Sequence, residues 1–262
     1  MLPRCQPADP NPRPPRFKAP PGATDTHFHI FGPEKKYQLV ADRRFTPPDA
    51  SVESYLHLHR TLGLSRAVLV QPSSYGTDNR RQLDAAREMD IPTRVIVVVP
   101  PAITDRELDE LYRAGARAVL GWHIQLMLAP AHLLELAPRL QKLRCDFVID
   151  HMGDIQAALG TEQSAFKALL RLLETGRCWT KLSAGYHVSQ QQPPYRDVIP
   201  LAQALVAARP DRLLWGTDWP HINPGKLMPN STEFFDLLFD WVPDDAIRRR
   251  ILVDNPSHLY GF

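Results

Sequence analysis

The chain has 262 residues, which fits one large domain or two small ones. Hydrophobic residues make up 44% and charged residues 23%, an ordinary globular composition that excludes wholesale disorder, collagen and coiled coil. The net charge of +2 gives no electrostatic footprint for nucleic acid or for an anionic membrane, so we expect neither as a partner.

The cysteines and the apolar stretches indicate the compartment. Three cysteines are too few for a disulfide framework and favour a reducing environment. No apolar run approaches the ~20 residues needed to span a bilayer, and the amino terminus lacks the apolar segment of a signal peptide. We therefore expect a soluble, cytoplasmic protein.

Residues 1–22 differ in composition from the rest of the chain, because eight of the 26 prolines lie among the first 21 residues. Proline fixes φ and lacks a backbone donor, so this segment can form neither a helix nor the interior of a sheet. We predict an extended proline-rich arm over residues 1–22, which runs over a single domain at residues 23–262.

From residue 23 onward, short apolar runs rich in β-branched residues alternate with longer amphipathic stretches, a pattern typical of a parallel α/β fold. The predicted strands are Thr24–Phe31, Ala67–Gln71, Arg94–Val99, Ala116–Leu120, His123–Leu128, Asp146–His151, Trp179–Ser183 and Arg212–Asp218. The predicted helices are Ser51–Leu62, Asp78–Met89, Thr104–Ala114, Ala131–Leu143, Thr161–Glu174, Arg196–Ala208 and Thr232–Leu252 with a break at Pro243. Eight strands with intervening helices indicate a TIM-type (β/α)8 barrel.

One connection in this series is too short. Residues Gly115–Leu128 contain two strand candidates with only Gly121 and Trp122 between them, whereas successive parallel strands need a crossover of about a dozen residues or more. Either one run is not a barrel strand, or the segment is one long bent strand, or the chain lacks a helix that an ordinary barrel has there.

The first predicted strand carries a polar face. Because residues i and i+2 of a strand point to the same side, Asp25, His27 and His29 are expected to project together. Two imidazoles at this spacing can chelate a divalent metal or donate hydrogen bonds to a carbonyl oxygen; the alternative is a pair of core histidines. His151 and Asp218 stand where two later strands stop, at the end where barrels build their sites. We predict that these three histidines and Asp218 converge.

Four motifs carry a resemblance to a known family: PGATDTHFHIFGP at residues 21–33, VQPSSYGTDN at 70–79, IDHMG at 149–153 and WGTDWPH at 215–221. With them the chain resembles the amidohydrolase superfamily and, within it, the family of 2-pyrone-4,6-dicarboxylate lactonases and related lactone hydrolases. The resemblance implies a hydrolase that opens the lactone ring of a small organic acid or sugar acid. A decarboxylase or hydratase of the same superfamily, or a barrel that binds a ligand without turnover, are the alternatives.

The resemblance also assigns roles. Asp218 would act as general base on water, while His27, His29 and His151 would polarise the lactone carbonyl directly or through one metal ion. No lysine or glutamate stands at a middle-strand end to bridge two metals, so a second metal is not expected. We expect no obligatory metal, with one zinc or manganese ion held by these four residues as the alternative.

The sequence departs from the family in two respects. Relatives have an arginine-bearing strand, a helix and then a Gly-Trp-His strand, whereas here Gly115–Leu120 runs straight into Gly121–Gln125. We therefore expect the barrel to lack the helix between its fourth and fifth strands and to be least regular over Thr104–Gln125. The contacts of the missing helix would be replaced by the arm or by a second subunit in a homo-oligomer, or the barrel would be distorted and leave a gap beside the third helix. Asp154 and His187 stand where relatives that bind dicarboxylates have arginines, which favours a neutral or singly charged lactone.

Further polar and aromatic residues near the predicted strand ends are candidates for binding the substrate. They are Ser73, Ser74, Tyr75, Asn79, Gln125, Lys181, His187, Trp219 and His221. For Ser73, Ser74, Tyr75 and Asn79 the alternative is a structural role in the loop, because Gly76–Asn79 could equally form a turn and a helix cap.

Overall fold

The computed structural model describes residues 2–118, 123–222 and 227–262. Its strands are β1 (Thr24–Phe28), β2 (Arg66–Val70), β3 (Thr93–Ile96), β4 (Ala116–Ala118), β5 (Ile124–Leu126), β6 (Phe147–Ile149), β7 (Cys178–Leu182) and β8 (Leu213–Trp215). Its α-helices are α1 (Val52–Leu62), α2 (Arg80–Glu88), α3 (Asp105–Arg113), α4 (Pro130–Leu140), α5 (Ser164–Glu174), α6 (Gly185–Val188), α7 (Ile199–Ala208), α8 (Ser231–Trp241), α9 (Asp245–Arg249) and α10 (Asn255–Tyr260).

The strands form two parallel four-stranded sheets, β1-β2-β3-β4 and β5-β6-β7-β8. β1 also meets the segment after β8: the N–H of His29 donates to the carbonyl of Trp219 and the N–H of Asp218 donates to that of His27, both at 2.8 Å. On the other side, β4 and β5 do not pair within the described residues. The fold is therefore mixed α/β with parallel sheets, as in a TIM-type barrel, but no closed ring of paired strands is present in the part described.

The connection between β4 and β5 is short. Residues 119–122 lie outside the described residues, so the expected lack of a helix at this point stays a prediction. The preceding α3 is a regular helix with a capping box at Thr104. The expectation that Thr104–Gln125 is the least regular part of the fold stays a prediction, because residues 119–122 lie outside the described residues. The pairing of β3 with β4 does shift register between Val95 and Ile96.

The interior between the two sheets changes from apolar to polar along the strands. Val148 and Leu214 are fully buried and cluster with the ring of Tyr260 from α10, which forms an apolar floor. Inward positions recur every second residue of a strand, and further along β6 and β7 they are occupied by Asp150 and Lys181. Polar groups thus begin where the floor ends, toward the carboxyl ends of the strands.

The proline-rich arm packs beside α8. The N–H of Cys5 donates to the carbonyl of Thr46 at 3.0 Å, and Phe17 stacks on Phe235 of α8 with ring centroids 4.3 Å apart. Two arginines of the arm pair with acidic residues of the same helix. Within the described residues, the arm therefore does not cover the side of β4 and β5, which was one of the expected substitutes for the lost contacts.

The helices near the carboxyl terminus and after β7 differ in how well the sequence predicted them. α8 ends at Trp241 and α9 begins at Asp245, so the predicted break at Pro243 is confirmed. The four-residue α6 was not predicted, because it is too short for an amphipathic pattern. No helix in the described ranges is both long and apolar enough to cross a membrane.

Candidate active site

The structure brings together the four residues predicted to converge. Oδ1 of Asp218 lies 3.5 Å from Nε2 of His27, 3.5 Å from Nε2 of His29 and 3.8 Å from Nε2 of His151. All four line one cavity of about 450 Å³ at the carboxyl ends of the strands. A single carboxylate oxygen therefore faces three imidazoles in a concave site.

Each of these groups is held from behind. The hydroxyl of Tyr186 donates to Oδ2 of the aspartate, so Oδ1 is left to face the imidazoles. Nδ1 of His29 donates to the carbonyl of Val70 at 2.8 Å, and Nδ1 of His151 lies 2.8 Å from the hydroxyl of Ser183. These contacts fix the orientation of the rings before any substrate arrives.

Backbone strain concentrates in the loops that carry the site. Seven residues with a positive φ and a side chain follow β6, β7 and β8: His151, Met152, Asp154, Ala184, Tyr195, Asp218 and His221. Each such conformation costs on the order of 1 kcal/mol or more in a residue with a Cβ atom, so the surrounding structure must hold it. Strain of this kind clusters at functional sites and turns His151 and Asp218 toward the cavity.

Burial sets the charge states of the site. Burial and the Lys181 ammonium lower the pKa of His27 from 6.5 to about 3, and burial lowers the pKa of His151 as well. Burial alone would raise the pKa of Asp218, but His151, His29 and His27 outweigh it and hold that pKa well below 3.8. Near neutral pH the site therefore combines an ionised carboxylate with neutral imidazoles at His27 and His151.

A buried ion pair lies behind His27. Nζ of Lys181 is 3.1 Å from Oδ1 of Asp150, 3.1 Å from Nδ1 of His27 and 2.9 Å from Oε1 of Gln125. The lysine is fully buried, so its three donors are used inside the protein. Lys181 was expected to bind substrate; instead it supports the ring of His27, because the ammonium lies beneath the cavity lining.

Asp25 does not join the site. Its carboxylate accepts hydrogen bonds from the hydroxyl of Thr217 at 2.6 Å and from Tyr55 of α1 at 3.1 Å. The strict alternation expected for the first strand is wrong here, since the pairing of β1 with β2 shifts register between Asp25 and Phe28. Asp25 instead ties the start of β1 to the loop after β8.

Three of the nine expected substrate-binding residues line the cavity. Ser73 and Gln125 stand on opposite sheets, at the ends of β2 and β5, and His187 stands on α6 after β7. These three side chains can reach a bound molecule without any rearrangement of the strands.

The polar loop after β2 is mostly structural. The hydroxyl of Tyr75 accepts a hydrogen bond from the N–H of Gly32 at 2.8 Å. The side chain of Asn79 accepts from the N–H of Val98 and donates to its carbonyl, at 3.0 and 2.8 Å. Ser74 is 1% exposed and does not line the cavity. The assignment of these three residues to substrate binding is therefore corrected: the polar groups of Tyr75 and Asn79 hold the loop, and Ser74 is buried away from the cavity.

Two residues after β8 are also turned away from the cavity. The ring of Trp219 packs against Tyr55, with centroids 5.7 Å apart, and Nε2 of His221 lies 2.7 Å from the hydroxyl of Ser231. Both belong to the contact between this loop and the surrounding helices rather than to the cavity lining, which corrects the expectation that they bind substrate.

Several residues of the site were missed in the sequence. Asp150 directly precedes His151 and lines the cavity, and Tyr186 directly precedes His187 and binds Asp218. The sequence could have indicated both residues, because each is next to a residue that was predicted to belong to the site. The apolar wall carries no such signal: Phe31, Phe45 and Met127 come from three separate segments.

The donor set fits one divalent cation. His27, His29 and Asp218 each offer a ligand atom, and these atoms all lie within 4.8 Å of one another. The hydrogen bond from Nδ1 of His29 to Val70 orients the ring so that Nε2 is the atom that can face a ligand. His151, which was expected among the ligands, is not part of this group.

Known proteins are similar to this chain over nearly its whole length. The model of the amidohydrolase family matches residues 24–120 and 116–262. A 4-sulfomuconolactone hydrolase from Hydrogenophaga intermedia is 38% identical over 290 positions, which cover 100% of this chain and 96% of the relative. A 2-pyrone-4,6-dicarboxylate hydrolase from Comamonas testosteroni is 34% identical and covers 95% of this chain and 93% of the relative.

The fold is shared as well. The structure of a probable 2-pyrone-4,6-dicarboxylic acid hydrolase from Acinetobacter baumannii, solved with citric acid bound, has a TM-score of 0.81 at 27% identity. The superposition covers 92% of this chain and 100% of the Acinetobacter chain. The match of the family model to nearly all of residues 24–262, together with these relatives, means that the chain belongs to the amidohydrolase family.

Proposed function

We propose that the protein is a hydrolase that opens the lactone ring of a small organic acid or sugar acid, with Asp218 as general base. The observation that carries the proposal is the convergence of His27, His29 and His151 on one oxygen of Asp218 at the cavity. Two relatives that match nearly all of the chain are named as hydrolases of a muconolactone and of a pyrone, which supports this reaction class.

The chemistry follows from these groups. Oδ1 of Asp218 takes a proton from water, and the hydroxide attacks the lactone carbonyl carbon. N–H groups at Nε2 of His27 and His151 donate to the carbonyl oxygen as it becomes negatively charged, which is worth most in a buried site where water does not compete. His29 has its ring hydrogen on Nδ1, where it donates to Val70, so its Nε2 can only accept. Tyr186 holds the other carboxylate oxygen, so the base does not rotate away.

We propose that no metal is obligatory, although the residues fit one ion. A zinc or manganese ion, when bound, would polarise the carbonyl and acidify water. The Lys181 ammonium, 3.1 Å from His27, disfavours a second positive charge at that ring. Elemental analysis of the purified protein tests this: one equivalent of metal, with activity lost to a chelator, would show that the metal is required.

The substrate is expected to be neutral or singly charged. Among the described residues, two carboxylates, Asp150 and Asp218, line the cavity, and of these two only Asp150 has a lysine or arginine, Lys181, against it. A dianionic lactone would be repelled by the unbalanced negative charge. Decarboxylation or hydration by the same residues is the alternative reaction; release of CO2, or a product that keeps its ring, would identify it. Binding without any product would identify a ligand-binding barrel.

We further propose that the barrel lacks one helix between β4 and β5. The family model matches as two segments that overlap at residues 116–120, and the alignment to the Hydrogenophaga relative has 290 positions for 262 residues, about 28 more than the chain contains. A βαβ unit is roughly this long. Val98, Ile124 and Met127 are 40 to 62% exposed on this side, and two of them, Val98 and Met127, also line the cavity. A homo-oligomer that covers this edge beside the cavity is expected, and light scattering measures it.

We propose a cytoplasmic location, since Cys5, Cys145 and Cys178 are all free thiols, as in a reducing compartment. Fractionation of the native cells tests this location.

The reaction class is tested by proton release from a panel of γ- and δ-lactones. We expect ring opening of at least one member to depend on enzyme concentration. A complete lack of turnover, with tight binding of the same compounds, would contradict a hydrolase.

A further inference from the structure

A second pair of ionisable groups lies at the rim of the cavity. His187 on α6 lines the cavity, and its Nδ1 is 3.3 Å from Oδ1 of Asp154, which ends the turn after β6. The ring of His187 is 5.3 Å from that of His151, measured between centroids. The pair is therefore separate from Asp218, with His151 in contact with both groups.

The contact with Asp154 defines how His187 can transfer a proton. An ionised carboxylate only accepts hydrogen bonds, so Nδ1 of His187 carries the hydrogen. Proton exchange with a bound molecule therefore runs through Nε2, as in other histidines oriented by a carboxylate. The backbone holds this arrangement: the N–H of His187 donates to the carbonyl of Ala184 at 2.8 Å.

Ring opening needs a proton at a second place. Asp218 takes one proton from water, but the ring oxygen leaves with its electron pair and must be protonated. An aliphatic alkoxide is a far stronger base than the carboxylate of Asp218, so its expulsion needs a proton donor. That donor is either Asp218, which carries the proton taken from water, or a second acid nearer to the ring oxygen. His187 lies on the solvent side of His151, since its side chain is 24% exposed whereas that of His151 is 4% exposed.

We propose that His187, oriented by Asp154, is the general acid that protonates the leaving ring oxygen; this rests on the proposed lactone hydrolysis. Water gives its proton to Asp218, the new C–O bond forms, the C–O bond of the ring breaks, and the ring oxygen takes the proton from Nε2 of imidazolium His187. The proton on Asp218 then passes to His187 or to solvent, which restores both groups.

Two lactones that differ in leaving group provide the test. In dihydrocoumarin the leaving group is a phenoxide, whose conjugate acid has a pKa of about 10 as in tyrosine, and in δ-valerolactone it is an alkoxide. In His187→Gln we expect kcat/KM to fall about 10²-fold for δ-valerolactone and less than about tenfold for dihydrocoumarin. Asp154→Asn should show the same direction with a smaller loss. The exposed His57 of α1 provides the matched control, and His57→Gln should leave both values unchanged.

The ratio of the two rate constants is the decisive readout, because a role in binding or in folding would lower both equally. An equal loss for both lactones, or no loss, would overturn the proposal. If His187→Gln does not fold, the same ratio in Asp154→Asn decides. A wild-type protein that opens neither lactone, nor any other in a wider panel, would instead refute the proposed reaction.

Discussion

The buried pair behind the site gives a sharp test of the electrostatics. In the wild-type protein Nζ of Lys181 lies 3.1 Å from Oδ1 of Asp150. Replacing Lys181 with methionine keeps the volume of the side chain but leaves the carboxylate of Asp150 buried and without this cation. Both side chains are almost fully buried, so solvent screens the loss very little. Removing one partner of such a pair costs about 3–5 kcal/mol. Because domains of this kind are stable by about 5–15 kcal/mol, we expect Lys181→Met to fold but to be much less stable.

Urea unfolding followed by circular dichroism at pH 7 measures this loss. In the double variant Lys181→Met with Asp150→Asn no unpaired charge is left, so we expect it to regain at least about 2 kcal/mol relative to the single variant. Equal stabilities of the single and the double variant would refute the reasoning, because the loss would then come from packing and not from the unpaired charge.

Three further changes have defined outcomes. Burial lowers the pKa of His59 from 6.5 to about 4, so as pH falls the unfolded state takes up a proton at this residue before the folded state does, and the protein loses stability. His59→Leu has no such proton to bind, so in thermal or urea unfolding its loss of stability between pH 7 and pH 5 should be smaller than that of the wild type by about 2 kcal/mol. In Gly216→Ala the new Cβ would lie 2.7 Å from the backbone nitrogen of His27, and we expect about 1–3 kcal/mol of destabilisation, whereas an unchanged midpoint would contradict the close approach. Tyr186→Phe should lower kcat about tenfold with little change in KM, since it removes one hydrogen bond to the charged Asp218; an unchanged kcat would exclude a positioning role.

The sequence predicted the elements and the meeting of strand ends because both depend on local patterns. His151 and Asp218 follow apolar runs, and parallel strands end on one side, so their convergence with His27 followed from topology. The break at Pro243 followed from the missing donor of proline.

The errors have one physical cause, since long-range hydrogen bonds are not visible in a sequence. Tyr75 and Asn79 look like binding groups until the backbone atoms of Gly32 and Val98 that they bind are known. The position of Asp25 depended on a register shift that the alternating pattern conceals. For the same reason the ion pair behind His27 could not be foreseen.

The most direct test of the account is the turnover of Asp218→Asn on a lactone that the wild-type protein opens. The substitution keeps the size of the side chain and removes the base, so we predict a loss in kcat of about 10²-fold or more, with the fold and the binding of the lactone retained. Turnover equal to that of the wild type would contradict the account, because the three imidazoles would then converge on a group that the reaction does not use.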